Sequence, residues 1–295
     1  MDNPPIQLPL GRPAELTREE PPPPARPDPD NPPWGLGGAV GLLVLSFMLM
    51  VVTQVLFLIP YALRRGVKLD ALAEFALKDP GAIFIQVVSI IPAHLLTLGL
   101  AWLLVTRVGK YPFFATLGWE WGDGFTLWRS IWLGVVMFLT GVSIIYLTGP
   151  TDNALERLLQ SSRAAALATA FAATFTAPLV EEIVFRGLLY SSLRRLVGAA
   201  WAVVSVFMLF ALIHVPQYWP SYGVIGVILM LSLALTLVRA HSGRLLPCFV
   251  VHLVFNAIQS VFIVIEPYLK PYFPETPPPD PGLLLELALR LCRVV

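Results

Sequence analysis

The stretch "TAPLVEEIVFRGLLYSSLRRL", residues 176–196, carries two adjacent glutamates and an arginine inside a run that is otherwise typical of a membrane-buried helix. An ionised carboxylate is costly in hydrocarbon, and neighbouring carboxylates repel each other. Glu182 and Arg186 are four residues apart, so they can pair on one helical face. Glu181 is turned about 100° away from Glu182. Pairing explains Glu182 and leaves Glu181 as a candidate functional carboxylate, although a purely structural ion-pair network of all three residues is the alternative.

The composition of the whole chain indicates a polytopic membrane protein. Of its 295 residues, 56% are apolar and 13% are charged, whereas a soluble domain is about 25% charged. The mean hydropathy is +0.72. We predict an all-α transmembrane bundle of about seven or eight helices with a polar cavity inside it. The expected spans lie near residues 37–61, 83–106, 127–148, 166–193, 200–214, 222–238 and 245–266. The apolar spans make the lipid bilayer the expected surrounding of the chain. A net charge of +1 gives no indication of a nucleic-acid partner.

The chain divides into three regions. Residues 1–35 contain twelve prolines and are expected to form a disordered tail. Residues 36–270 are expected to form the transmembrane domain, and residues 271–295 a proline-rich linker followed by a short amphipathic helix. Basic residues are shared equally between the two faces. The uncharged connection 215–221 favours a cytoplasmic amino terminus in the inner or plasma membrane.

Further polar residues follow the glutamates in apolar helices. "FMLFALIH" (207–214) ends in His214, and "PCFVVHLVFNA" (247–257) places His252 and Asn256 on one face. A carboxylate and an imidazole can take up the proton of a water molecule and make it nucleophilic near neutral pH. A second imidazole and an amide can stabilise the negative oxygen of a tetrahedral intermediate. These residues together favour hydrolysis of an amide inside a membrane cavity.

Three of these patterns resemble a known family. Glu181-Glu182-x-x-x-Arg186, Phe210-x-x-x-His214 and His252-x-x-x-Asn256, in this order on successive helices, are similar to the motifs of the CPBP family. That family comprises the CAAX-processing and bacteriocin-processing membrane proteases, and the similarity covers about residues 165–260, taken as the family core.

The resemblance implies an intramembrane glutamic-type endopeptidase without a cofactor. Glu181 and His214 would activate water, and His252 and Asn256 would form the oxyanion site. Glu182 and Arg186 would support the architecture, and Phe210 would shape the pocket. The substrate would be a membrane-associated protein or peptide, including the prenylated CAAX type. The oligomeric state is left open by the sequence.

Other interpretations use the same residues differently. Glu181, His214 and His252 have the ligand types of a zinc site, although the chain lacks a His-Glu-x-x-His helix. Cys248 lies four residues before His252, which makes a thiol–imidazole pair conceivable. A non-catalytic scaffold, immunity or transport-associated protein is the alternative from a different class. His94, in the second predicted span, is expected to be a packing residue.

Overall fold

The structure is a computed structural model of the protein, and it describes residues 28–149 and 153–269. The proline-rich residues 1–27 and the predicted linker and amphipathic helix at 271–295 lie outside the described residues. The described part of the chain is helical and contains no strand. Its helices are α1 (Leu36–Arg64), α2 (Leu72–Lys78), α3 (Pro80–Thr106), α4 (Phe113–Thr116), α5 (Leu127–Thr148), α6 (Ala154–Ser161), α7 (Arg163–Phe171), α8 (Ala177–Glu181), α9 (Tyr190–Tyr218), α10 (Tyr222–Ser242) and α11 (Leu246–Leu269).

Six helical stretches in the described residues are long and apolar enough to cross a membrane. Five of them are α1, α3, α5, α10 and most of α11. The sixth, Arg163–Tyr218, is 56 residues long and contains a break at Gly198, whose φ of 81° and ψ of 167° are not helical. It therefore contains two of the predicted spans. The prediction of an all-α polytopic bundle is confirmed.

Helix formation follows from the surroundings of the chain, because hydrocarbon offers no partners to backbone N–H and C=O groups. Several helices begin with a polar residue whose side chain accepts a hydrogen bond from the first turn. Asp79 accepts from the Ala82 backbone N–H at 2.8 Å at the start of α3, and Asn153 accepts from the Glu156 N–H at 3.0 Å at the start of α6. Such caps satisfy backbone donors that have no partner within the helix.

The interior consists of two apolar clusters. One joins α1, α3, α9 and the helical segment after Glu181, and the other joins α10 and α11 with residues of α5. Close packing of α5 on α11 requires glycine at position 134, because an added Cβ would lie 2.9 Å from the side chain of Val254. Small residues at such contacts are typical of membrane helices. The polar residues described below connect elements of both clusters.

Two π-helical segments flank α8, and the second of them begins at Glu182. The first, Ala172–Thr176, precedes α8, and the second, Glu182–Leu189, follows it. Pro178, which lacks a backbone N–H, lies in the first turn of α8 between them. A π turn widens a helix and frees backbone groups from the α-helical pattern, and such turns are frequent at functional sites. The distortion is thus distributed over both sides of the proline.

Residues 28–35 pack on the bundle, although they belong to the proline-rich region. Trp34 is 4% exposed, and its indole N–H donates to the Leu188 carbonyl at 3.2 Å. Asp30 lies 3.0 Å from the guanidinium of buried Arg239. Eight residues of the region expected to form a disordered tail thus lie against the bundle, and the others lie outside the described residues. A composition rich in proline does not reveal that one aspartate in it neutralises a buried arginine more than 200 positions away.

Candidate active site

Glu181 and Glu182 face different surroundings. The Glu181 side chain is 23% exposed and lines a cavity, whereas that of Glu182 is fully buried. Glu181 ends α8 and Glu182 begins the second π segment. The helical rotation between neighbouring residues turns them to different sides.

Glu182 is the centre of a buried ionic network. Its Oε1 accepts from Arg186 Nη1 at 3.0 Å and from His252 Nδ1 at 2.8 Å. Arg186 Nη2 also donates to the Ser232 carbonyl at 3.2 Å and to its hydroxyl at 3.1 Å. The guanidinium lies 4.4 Å from the ring centre of Phe210. Several hydrogen bonds and an aromatic face thus compensate the desolvation of this cation.

Each of the two histidines has one ring nitrogen held by the protein and the other directed at Glu181. His214 Nδ1 lies 2.7 Å from the Phe210 carbonyl, and His252 Nδ1 lies 2.8 Å from Glu182. A carbonyl only accepts, so His214 Nδ1 carries a proton. The Nε2 atoms of His214 and His252 lie 3.9 and 3.7 Å from the Glu181 carboxylate. These separations exceed a direct hydrogen bond and suit a bridging water molecule.

Asn256 lies one turn after His252 on α11 and lines the same cavity. Its Nδ2 donates to the Ala173 carbonyl at 2.8 Å, within the first π segment. A primary amide carries two N–H groups, so one remains for a further acceptor. The structure therefore brings together Glu181, His214, His252 and Asn256 around one space, which Phe210 also lines, with Glu182 and Arg186 behind them.

The cavity has a volume of about 780 Å³. Its polar end is formed by Glu181, both histidines and Asn256, and most of the remaining wall is apolar. The apolar residues come from α5, α6, α10 and α11: Phe138, Leu139, Val142, Ile145, Leu155, Leu159, Val224, Val227, Ile228, Leu231, Phe255, Phe262 and Ile263. A large apolar chamber beside a small set of convergent polar groups is the usual form of a ligand site.

Two residues considered from the sequence lie elsewhere. Cys248 is fully buried in the apolar α10–α11 cluster, and its Sγ lies 3.6 Å from the Arg244 carbonyl. His94 is buried on α3, with Nδ1 2.9 Å from the Thr176 hydroxyl. Neither lines the cavity.

Several contributors to the site were not predicted. Ser232 and Thr236 of α10 contact Arg186, and Tyr218 lines the cavity one turn after His214. The four-residue spacing of the serine and threonine in an apolar helix is the one signal that could have indicated the first two. Nothing in the local sequence points to the Ala173 carbonyl as a partner of Asn256.

In the described residues, no group of three or more His, Cys, Asp or Glu side chains has an arrangement that could hold a metal ion. Glu181, His214 and His252 have suitable donor types. The two imidazole Nε2 atoms lie 3.9 and 3.7 Å from the Glu181 carboxylate.

Fold and site together define a multi-pass membrane protein with a carboxylate–imidazole cluster inside its helical bundle. Residues 163–258 match the family model described as "Type II CAAX prenyl endopeptidase Rce1-like". The match covers about a third of the chain, and it supports the resemblance to the CPBP family that the three motifs indicated. No curated protein and no solved structure matches the chain.

Proposed function

We propose that this protein is an intramembrane endopeptidase that hydrolyses a peptide bond in a membrane-associated protein or peptide, using water activated by Glu181 and His214. The observation that carries the proposal is the approach of both imidazole Nε2 atoms to one partly accessible carboxylate, at 3.7 and 3.9 Å. The family description supports the same reaction class, and it names CAAX prenyl proteins as the substrates of such enzymes.

The chemistry needs one water molecule and no cofactor. Glu181 and His214 Nε2 both accept, so they hold the two protons of that water and direct an oxygen lone pair at the scissile carbonyl. Glu181 takes one proton as the oxygen attacks the carbonyl carbon. It then gives this proton to the amide nitrogen as the C–N bond breaks, which yields a carboxylic acid and an amine.

The negative charge that develops on the carbonyl oxygen of the substrate requires hydrogen-bond donors to stabilise it. Asn256 has a second amide N–H for this role. His252 would donate from Nε2 when both of its ring nitrogens carry protons, and its Nδ1 is held 2.8 Å from the Glu182 carboxylate. Removing one such donor from an oxyanion site typically costs about 10²–10³ in rate.

The cavity supports a substrate that carries an apolar group close to the scissile bond. Its wall between α5 and α11 is apolar over most of its extent, and an apolar chain is favourably transferred from water to such a surface. A prenylated CAAX-type segment has this chemistry.

We expect the amino terminus to face the cytoplasm.

The experiment compares cells that express wild type, Glu181→Gln and Glu156→Gln at matched levels. Glu156 is a matched control because it lines the same cavity from α6 and its carboxylate bonds to Gln160 on the same helix. Mass spectrometry of small proteins and peptides should show uncut precursors only with Glu181→Gln. An unchanged pool would favour the non-catalytic scaffold.

A further inference from the structure

A second set of contacts reaches the catalytic helix from the proline-rich side of the chain. We call residues 28–34 the strap. Three arginines donate to its backbone carbonyls: Arg239 to Pro29, Arg195 to Pro32 and Trp34, and Arg107 to Pro33. A fourth, Arg194, donates to the Asp30 side chain. In return, the Trp34 indole donates to the Leu188 carbonyl in the second π segment. The strap is thus bonded to several elements at once.

Asp30 is the charged centre of the strap. Its Oδ1 lies 3.0 Å from Nη2 of Arg239, whose side chain is fully buried. Its Oδ2 lies 2.5 Å from Nη1 of Arg194, whose side chain is 33% exposed. A buried guanidinium depends on its counter-charge far more than an exposed one does. Asp30 therefore matters chiefly through Arg239.

Arg239 connects the strap to the catalytic network. Its Nε donates to the backbone carbonyl of Arg186 at 3.2 Å, within the second π segment. The Arg186 side chain bonds to Glu182, and Glu182 bonds to His252 Nδ1. A continuous chain of polar contacts thus runs from Asp30 through both arginines to an imidazole of the site.

We infer that Asp30 is a positioning residue for catalysis, which acts through Arg239 to fix the Arg186 backbone and hence the orientation of His252. Without this carboxylate, the Arg239 guanidinium turns toward other acceptors and no longer holds the Arg186 carbonyl. The π segment then loses one of its external bonds. The inference rests on the proposed function for its kinetic consequence, whereas the orientation of His252 is measurable without it.

The test uses the full chain in lipid nanodiscs with a fluorescence-quenched prenylated CAAX peptide. Asp30→Asn removes the charge, Asp30→Glu preserves it, and Arg194→Gln is the matched control that breaks only the exposed half of the pair. We expect Asp30→Asn to lower kcat about tenfold with little change in KM, because small misplacements of reacting groups are costly. Asp30→Glu should recover most of the rate, and Arg194→Gln should stay within about twofold.

A second measurement follows His252 directly. Diethyl pyrocarbonate modifies accessible imidazole nitrogens, and mass spectrometry gives the rate at His252 relative to His214. Asp30→Asn should raise this ratio several-fold in protein that remains monodisperse by size exclusion, and Arg194→Gln should leave it unchanged.

The outcomes separate the two proposals. Equal cleavage by wild type and Glu181→Gln would contradict the proposed function, and the His252 modification ratio would still decide the role of Asp30. An unchanged ratio in Asp30→Asn, or a kcat equal to that of Arg194→Gln, would overturn the inference while leaving the protease assignment intact. Loss of thermal stability in Asp30→Asn with an unchanged kcat per folded molecule would also overturn it, because Asp30 would then be structural only.

Discussion

Removing the Glu182 carboxylate should destabilise the bundle, and the structure indicates by how much. Glu182→Leu leaves the Arg186 guanidinium fully buried without its counter-charge. Breaking a buried pair in this way typically costs about 3–5 kcal/mol. Arg186 retains its bonds to Ser232 and its position 4.4 Å from the Phe210 ring centre. These contacts partly compensate the cation, so we expect a loss at the lower end, about 3 kcal/mol in the free energy of unfolding.

The double variant Glu182→Leu/Arg186→Met separates this cost from the value of the pair itself. With both charges gone, neither is left uncompensated, and replacement of a buried pair by apolar residues is often neutral. We expect the free energy of unfolding of the double variant to lie within about 1 kcal/mol of that of wild type. Its loss of stability should therefore be much smaller than the sum of the losses in the two single variants. Reversible unfolding in mixed micelles with increasing dodecyl sulfate, followed by circular dichroism, gives these free energies.

The activity of the same variants should not follow their stability. Glu182→Leu and the double variant both remove the acceptor at His252 Nδ1, so both should lose about 10²-fold in kcat, even where folding is restored. Additive losses of stability in the double variant, or a double variant with wild-type kcat, would refute the role assigned to Glu182.

Further changes test other parts of the site and fold. Asn256→Leu should lower kcat by about 10²–10³ with little effect on KM, because it removes the proposed oxyanion donor; a change confined to KM would contradict this role. Gly134→Leu should lower the free energy of unfolding by about 1–3 kcal/mol, since its side chain would collide with Val254; an unchanged unfolding midpoint would contradict the close α5–α11 contact. Cys248→Ala and treatment with a strong chelator should each leave cleavage intact, whereas loss of cleavage would favour the thiol or the zinc alternative.

Local spacing predicted the part of the site that lies within single helices. Four-residue separations placed Glu182 beside Arg186, and the same separation lets the His214 ring bond to the Phe210 carbonyl. Such contacts depend only on helical geometry, which hydrocarbon enforces strongly. The separation of Glu181 from Glu182 follows from the same rule.

Contacts between distant elements could not be predicted in this way. Asp30 and Arg239 are more than 200 residues apart, and their pairing depends on how the strap crosses the helix ends. The π segments on either side of α8 were equally hidden, because a wider turn is stabilised by outside partners such as Arg239 and Asn256. Interhelical hydrogen bonds of this kind depend on the complete bundle.

The central claim is that the Glu181 carboxylate activates water for peptide hydrolysis, and the most direct measurement is the kcat of purified Glu181→Gln on a peptide that wild type cleaves. Glutamine preserves size and removes the base, so we predict a loss of about 10³-fold, within the range for positioned acid–base groups. The control Glu156→Gln should retain wild-type kcat. A folded Glu181→Gln enzyme that cleaves within twofold of wild type would contradict the account.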